Sequence, residues 1–330
     1  MRIEVRHGDV LDTPADVLLL KYAERHYGAD LAAHRRLASK GIDSPPPPPG
    51  GYSFVRTGGA LAAAEILTIA VGPLGSFEYE EIRQFGSDAL RILASERPSV
   101  RVLAGPIHGP GTGLDEVEAV KSLVAGFVDE ITGGDAPAGL ERIVIVERNL
   151  SRVRWLQPVI ETLVPNGVVA NDRGTFERSL DATGVSRLAG AGVGARDKQR
   201  VFVAMEFDDD SEDLFRFGIY EALDEDAFLC ERGDSDLAAT GDILESVLGK
   251  IRNADYFIAD VTKDNPNVFL ELGFAWGADR NVLIVARESR REALPFNIRN
   301  QRTIFYRNHG HLQEQLRDTI RRLGQGAPTG

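Results

Sequence analysis

"DYFIADVTKDNPNVFLELGFAWGADRNVLIVA", residues 255–286, holds an apolar strand, a short polar loop, a helix and a second apolar strand. A strand, helix and strand in that order make a parallel crossover unit. Asn265 suits the N-cap of the helix, and Pro266 suits its first position, where a missing N–H is harmless. The helix reads as apolar on nearly every face and is expected in the interior, yet Glu271 stands in its second turn. Burying a carboxylate without a partner costs several kcal/mol. An ordinary solvated face would carry several polar residues at helical spacing, so Glu271 is read as functional. Asn267, four residues earlier, shares its side of the helix, and both lean towards the N-terminus. There the helix dipole and free backbone N–H groups favour a carboxylate or a ligand phosphate.

The same alternation continues on both sides. "VFVAMEF" (201–207) and "AFLCERGD" (227–234) read as strands, with "DDDSEDLFRFGIYEALDED" (208–226) as a helix between them. "TGDILESVLGKIRNA" (240–254) is an amphipathic helix, and "RTIFYRN" (302–308) and "HLQEQLRDTIRRL" (311–323) close the unit. The pattern predicts an α/β, doubly wound, five-stranded parallel sheet in flavodoxin-like order, with its site beyond the carboxyl ends of the strands. Met205 and Phe207 end the first strand, Asp260 ends the third, and Asp264 and Asn265 lie in the loop that follows. Asp260, Asp264 and Asn265 also fit turn and capping roles.

A chain of 330 residues is expected to hold two domains. "TGVSRLAGAGVGARDKQ" (183–199), rich in small residues and without apolar periodicity, marks the expected linker between domains 1–182 and 200–330. "DSPPPPPGG" (43–51) is expected to form an exposed stiff loop. The net charge of −12 weighs against DNA or an anionic membrane surface as partner. A single cysteine, Cys230, excludes an internal disulfide. With neither a secretory leader nor a membrane span to read, a cytoplasmic location is expected.

The motifs around Glu271 carry a resemblance. "VFVAMEF", "ADYFIADVTKDNPNVFLELGFAWG" and "LPFNIRNQRTIFYRN" resemble the nucleoside 2-deoxyribosyltransferase-like and TIR-like superfamily, over residues 200 to about 323. The resemblance implies that Glu271 is the catalytic group at an N-glycosidic bond, with Asp255 and Asp260 as accompanying acids. The superfamily's further acidic residue, six positions before the glutamate, falls here on Asn265, with Asp264 beside it. Met205, Phe207, Asp264, Asn265 and Asn267 would then line the substrate.

The N-terminal half resembles macrodomains in "RIEVRHGDVLDTPADVLLL" (2–20), "GGALAAAEILTIAVGP" (58–73) and "VLAGPIHGPGTGLDEVEAVKSLVAGFVDEI" (102–131). That likeness implies a mixed α/β nucleotide-binding domain in which Asp9 meets an adenine and Gly109, Gly111, Thr112 and Gly113 wrap phosphates. "KYAERHYGAD" (21–30) stands where hydrolytic macrodomains carry an asparagine-rich stretch, which favours binding or sensing. His108 is open to a catalytic reading or to that of a loop histidine satisfied by local backbone.

Cleaving a ribosyl N-glycosidic bond builds oxocarbenium character that a nearby carboxylate stabilises or captures. A purine needs an acid in order to leave. Nicotinamide leaves NAD already cationic, so one glutamate with uncertain acids points to NAD or a related nucleotide as substrate. No bound cofactor or metal is expected. The expected partners are a nucleotide substrate, a nucleotide activator for the first domain, and further copies of the chain. Arg287, Arg290, Arg291 and Arg299 around "LPFN" suit a phosphate or a partner subunit. Base exchange between nucleosides and a non-enzymatic nucleotide-binding module stay open as alternatives, and bacterial defence or stress signalling is the setting that the resemblance implies.

Overall fold

The computed structural model describes residues 1–232 and 241–325. The chain divides into two compact units, residues 1–109 with 116–196 and residues 110–115 with 197–330.

The first unit is built on β1 (Arg2–His7), β2 (Ala15–Tyr22), β3 (Tyr52–Arg56), β4 (Ala63–Ala70), β5 (Val102–Pro106) and β6 (Arg142–Glu147). Its helices are α1 (Gly28–Ala38), α2 (Tyr79–Glu96), α3 (Glu116–Gly133), α4 (Leu150–Leu163), α5 (Arg173–Glu177) and α6 (Ala182–Gly190). The strand order is β1-β6-β5-β2-β4-β3, parallel throughout except for β3, which runs antiparallel to β4. Continuous apolar runs such as Val17–Leu20 are buried on both faces, as a covered parallel sheet requires.

Residues 183–190 of the expected linker belong to α6. Asp181 caps it by accepting from the Gly184 N–H at 2.6 Å, Leu188 is buried, and Arg83 donates to the carbonyls of Leu188, Ala189 and Ala191. One cap, one buried leucine and one arginine suffice to order a stretch that lacks helical periodicity. In the proline stretch the chain is irregular and mainly exposed, with Pro47 buried and the Gly51 N–H donating to Pro48 O at 2.9 Å.

The second unit holds β7 (Gln199–Ala204), β8 (Phe228–Arg232), β9 (Tyr256–Asp260), β10 (Asn281–Arg287) and β11 (Thr303–Tyr306). The order β11-β10-β9-β7-β8 is parallel throughout, the flavodoxin-like order expected. Its helices are α7 (Asp209–Leu214), α8 (Gly241–Asn253), α9 (Pro266–Gly277), α10 (Phe296–Arg299) and α11 (His309–Gln325). The single helix expected over 208–226 is three pieces: α7, a π turn over Phe215–Ile219 and a 3-10 turn over Tyr220–Ala222. Residues 233 and 234 of the expected second strand and Thr240 of the next helix lie outside the described residues.

Alternation along β7 sends Phe202 and Ala204 into a core shared with Val247 and Ile251 of α8 and Val268, Leu272 and Ala275 of α9. That contact corrects the expectation of a helix buried all round. Val268, Leu272 and Ala275 are the buried residues of α9, with Phe269 and Phe274 partly buried against the same core, while Leu270 is 59% and Trp276 40% exposed. No helix among the described residues is long and apolar enough to cross a membrane.

Candidate functional site

From β7 the second sheet grows through β8 in one direction, and from β9 through β10 and β11 in the other. The crevice at this switch point lies beyond the carboxyl ends of β7 and β9, where open α/β sheets bind ligands. The loops after these two strands meet there. Asn265 caps α9 by accepting from the Asn267 N–H at 2.8 Å, and its Nδ2 donates to Glu206 Oε2 at 2.9 Å. Glu206 Oε1 accepts from the Phe207 N–H at 3.3 Å, and Lys263 forms an ion pair with Asp208. Arg290, in the turn after β10, donates to Asp264 at 2.7 Å.

Glu271, in the second turn of α9, is partly buried and has no hydrogen bond or ion pair among the described residues. Burial pushes its carboxyl up to about 7. The group is therefore half protonated near neutrality and is not stabilised by neighbours.

Asp260 is 6% exposed at the end of β9. Thr262 serves it twice, donating its N–H at 3.0 Å and its hydroxyl at 2.5 Å to Oδ1. The same hydroxyl oxygen accepts from the Arg287 N–H at 3.0 Å and lies 3.0 Å from the Tyr306 hydroxyl, which must donate because the threonine proton is already committed. Burial raises the Asp260 carboxyl, opposed by the Thr262 bonds and by the charges of Arg287 and Lys263. Tyr306 is raised by burial and by the Asp260 charge. The arrangement is a rigid hydrogen-bonded chain across the carboxyl ends of β9, β10 and β11.

Other expected residues fall elsewhere. Asp255 precedes β9, roughly 16 Å along the strand from Asp260. Its carboxylate accepts from the Arg200 N–H at 2.8 Å, which makes it a clip at the opposite edge of the sheet and corrects its reading as a companion acid. Met205 is 2% exposed and packed as core. Phe207 stacks under the Arg232 guanidinium, 4.9 Å from the ring centroid. Asn267 is exposed. Of the arginines, Arg291 lies 3.9 Å over the Phe305 ring, and Arg299 donates to the carbonyls of Glu292 and Leu294. Glu206, Thr262 and Tyr306 escaped the sequence reading. Glu206 had one available signal, a charge directly after a buried strand.

In the first unit, Asp9 accepts from the Leu11 N–H at 2.9 Å and pairs with Arg148 at 2.6 Å. Gly109 belongs to this unit, whereas Gly111, Thr112 and Gly113 group with the second. A Cβ on Gly113, whose φ is +88°, would stand 3.1 Å from the Lys250 side chain. Asp115 accepts from the Cys230 N–H at 2.7 Å. His108 is 3% exposed with Nε2 unpartnered, so local backbone does not satisfy it there as expected.

No known family profile matches the chain, and no curated protein matches it either. Solved structures similar to it include the Trypanosoma brucei macrodomain in complex with ADP, at 14% identity and a TM-score of 0.37, covering 48% of this chain and 69% of that one. The macrodomain of Thermus aquaticus DarG shares 16% identity at a TM-score of 0.32, covering 44% and 97%. The Clostridium botulinum CMP N-glycosidase BcmB shares 21% identity at a TM-score of 0.27, covering 36% and 98%.

Proposed function

We propose that the second unit cleaves the N-glycosidic bond of a nucleotide, NAD or a relative of it, with Glu271 as the carboxylate that meets the developing charge at C1′. The observation that carries this reading is the isolation of Glu271: its carboxyl is partly buried in the second turn of α9, without a hydrogen bond or counter-ion among the described residues. A structural carboxylate in that position would be paired. An unpaired one finds its stabilising charge in an oxocarbenium-like transition state, which is stabilisation of the transition state over the ground state.

Water attacking the ribosyl carbon completes hydrolysis. Glu206, Asp208, Asp260 and Asp264 follow the carboxyl ends of β7 and β9, held in turn by Asn265, Lys263, Thr262 and Arg290. A base already quaternised at its glycosidic nitrogen, such as the nicotinamide of NAD, departs as the neutral molecule and needs no proton donor. In the same reading, nucleotide binding to the first unit regulates the second, within a defence or stress response.

The test is incubation of the full chain and of Glu271→Gln with NAD, nucleosides and nucleotides, followed by mass spectrometry of the released bases. Base release by the wild type alone supports the reading. Equal release by both proteins, or by neither, overturns it, and incorporation of an added free base would reassign the chemistry to base exchange.

A further inference from the structure

Four arginines lie at and beyond the end of β10, and their contacts separate their roles. Arg287 acts through its charge on Asp260 and Tyr306, Arg291 lies over the Phe305 ring and pairs with Glu288, and Arg299 donates to the Glu292 and Leu294 carbonyls. Arg290 differs. It ends the 3-10 turn over Glu288–Arg290, directly after β10, and reaches across to the loop between β9 and α9, where its Nη2 donates to Asp264 Oδ1 at 2.7 Å. Asp264 immediately precedes Asn265, the cap of α9. The guanidinium therefore stands at the N-terminal end of the helix that carries Glu271.

The two members of this pair are unequally fixed. The Arg290 side chain is 27% exposed and that of Asp264 64%. A guanidinium offers a fork of N–H donors, and the bond to Asp264 is the one that the Arg290 side chain makes among the described residues, with its Nε buried and unpartnered. An exposed carboxylate gives up such a bond at little cost, because water replaces the arginine. A mostly buried guanidinium keeps its charge and needs an anion in exchange. The arginine is thus the fixed member and the aspartate the exchangeable one. Lys263 and Asp208 are exposed to a similar degree, so their pair shows no such preference.

The Asp264 carboxylate marks where an anion meets this arginine, and its exposure leaves that position open to solvent. A phosphate monoester brings three acceptor oxygens and close to two negative charges at neutral pH. One oxygen takes the place of Asp264 Oδ1, and a second reaches another N–H of the fork. The 12-residue α9 starts at the same point, and its dipole favours the same charge. From Asn265 to Glu271 the helix rises about 9 Å, which the backward lean of Glu271 shortens. Along the axis, a phosphate at Arg290 and a ribosyl carbon at Glu271 are within the span of one sugar phosphate.

We propose that Arg290 binds the 5′-phosphate of the substrate and selects nucleotides over nucleosides, with Asp264 holding the guanidinium in place until the phosphate displaces it. The choice of a ribosyl substrate rests on the glycosidase reading. The exchange of Asp264 for a phosphate does not.

Ribose 5-phosphate, inorganic phosphate and ribose are titrated by calorimetry into the full chain and into its Arg290→Met, Arg290→Lys and Asp264→Asn variants. Ribose 5-phosphate should bind tightest. Arg290→Met should weaken it by at least about 10-fold, the loss of one charge-assisted hydrogen bond, and Arg290→Lys by less, since the charge stays while the fork is lost. Asp264→Asn should strengthen it by about 3-fold, because the competing carboxylate is gone. The opposite signs are the readout: a pair that only clamps the loop to the turn would shift both variants alike. Shifts of one sign in Arg290→Met and Asp264→Asn overturn the proposal, as does unchanged affinity in Arg290→Met. Ribose or inorganic phosphate binding as tightly as ribose 5-phosphate overturns it too. In parallel, base release is followed from nicotinamide mononucleotide and nicotinamide riboside, where Arg290→Met should raise KM for the mononucleotide alone. Opposite-signed binding in a chain that releases no base would sink only the glycosidase reading. Base release from both substrates with KM unchanged in Arg290→Met would sink only this one.

Discussion

Asn265 and Glu206 are joined by a 2.9 Å hydrogen bond across the crevice between the carboxyl ends of β7 and β9. The asparagine amide is fixed at both ends, its Oδ1 capping α9 and its Nδ2 held by the glutamate. A carboxylate is thus present at this point of the edge although residue 265 is not itself acidic.

Asn265→Asp places two carboxylates in contact, and one of them must hold a proton for both to remain there. The folded state then binds a proton more tightly than the unfolded state, so the variant should lose stability as pH rises. At pH 8 it should be less stable than the wild type by about 1–3 kcal/mol, the cost of two like charges held in contact, with the difference closing near pH 4. Urea denaturation at the two pH values measures this.

Glu271 should govern the pH dependence of turnover. If its carboxylate is the working form, kcat/KM rises with pH through about 7. In Glu271→Gln that limb disappears and turnover falls by at least about 100-fold, or 2.7 kcal/mol of barrier. A pH profile with an unchanged limb in the Gln variant would remove Glu271 from the chemistry.

Stability should move the opposite way at the same residue. Its folded carboxyl sits near 7 against an ordinary value of 4.5, so the folded protein loses stability as pH rises from about 4.5 to 7 and holds a constant deficit above that. Glu271→Gln should therefore be more stable than the wild type at pH 8, by on the order of 1–3 kcal/mol, and equal to it near pH 4. Thermal unfolding at both pH values decides this.

Thr262→Val is close in shape but removes the hydroxyl on which Asp260, Tyr306 and the Arg287 N–H converge. Leaving these groups without their partner should cost about 2–3 kcal/mol. Thr262→Ser, which keeps the hydroxyl, should lose less than half as much. Equal losses in the two variants would assign the residue a packing role.

Self-association should bury apolar side chains that now face water. Leu270, Trp276 and Phe296 are 59%, 40% and 76% exposed. The active species is expected to be at least a dimer, with specific activity falling on dilution, and Trp276→Arg should shift sedimentation towards the monomer. Constant activity and a monomeric wild type across the dilution series would refute this.

Much of the second unit was legible because its signals are local. Alternating strands and helices gave the sheet order, and Asn265 and Pro266 gave the start of α9, while a lone carboxylate in an apolar helix singled out Glu271 for the role proposed above. Non-local facts were hidden. Asp255 and Asp260 are five positions apart in sequence, yet an extended strand carries them to opposite edges of the sheet. The apolar composition of α9 suggested complete burial, but Leu270 and Trp276 face outwards. Glu206 acquires its place from a partner 59 residues away, and the hydroxyl chain of Thr262 and Tyr306 spans three strands. No periodicity announces either.

The grouping of residues 110–115 with 197–330 makes the second unit discontinuous in the chain. During synthesis its first piece emerges about 80 residues ahead of the rest, and Asp115 must wait for the Cys230 N–H until β8 has been made. A fragment beginning near residue 197 would carry all five strands and still lack the side chain that holds that amide. Excision at the obvious boundary should yield an incomplete protein, and a peptide spanning residues 110–115, added in trans, is what should restore it.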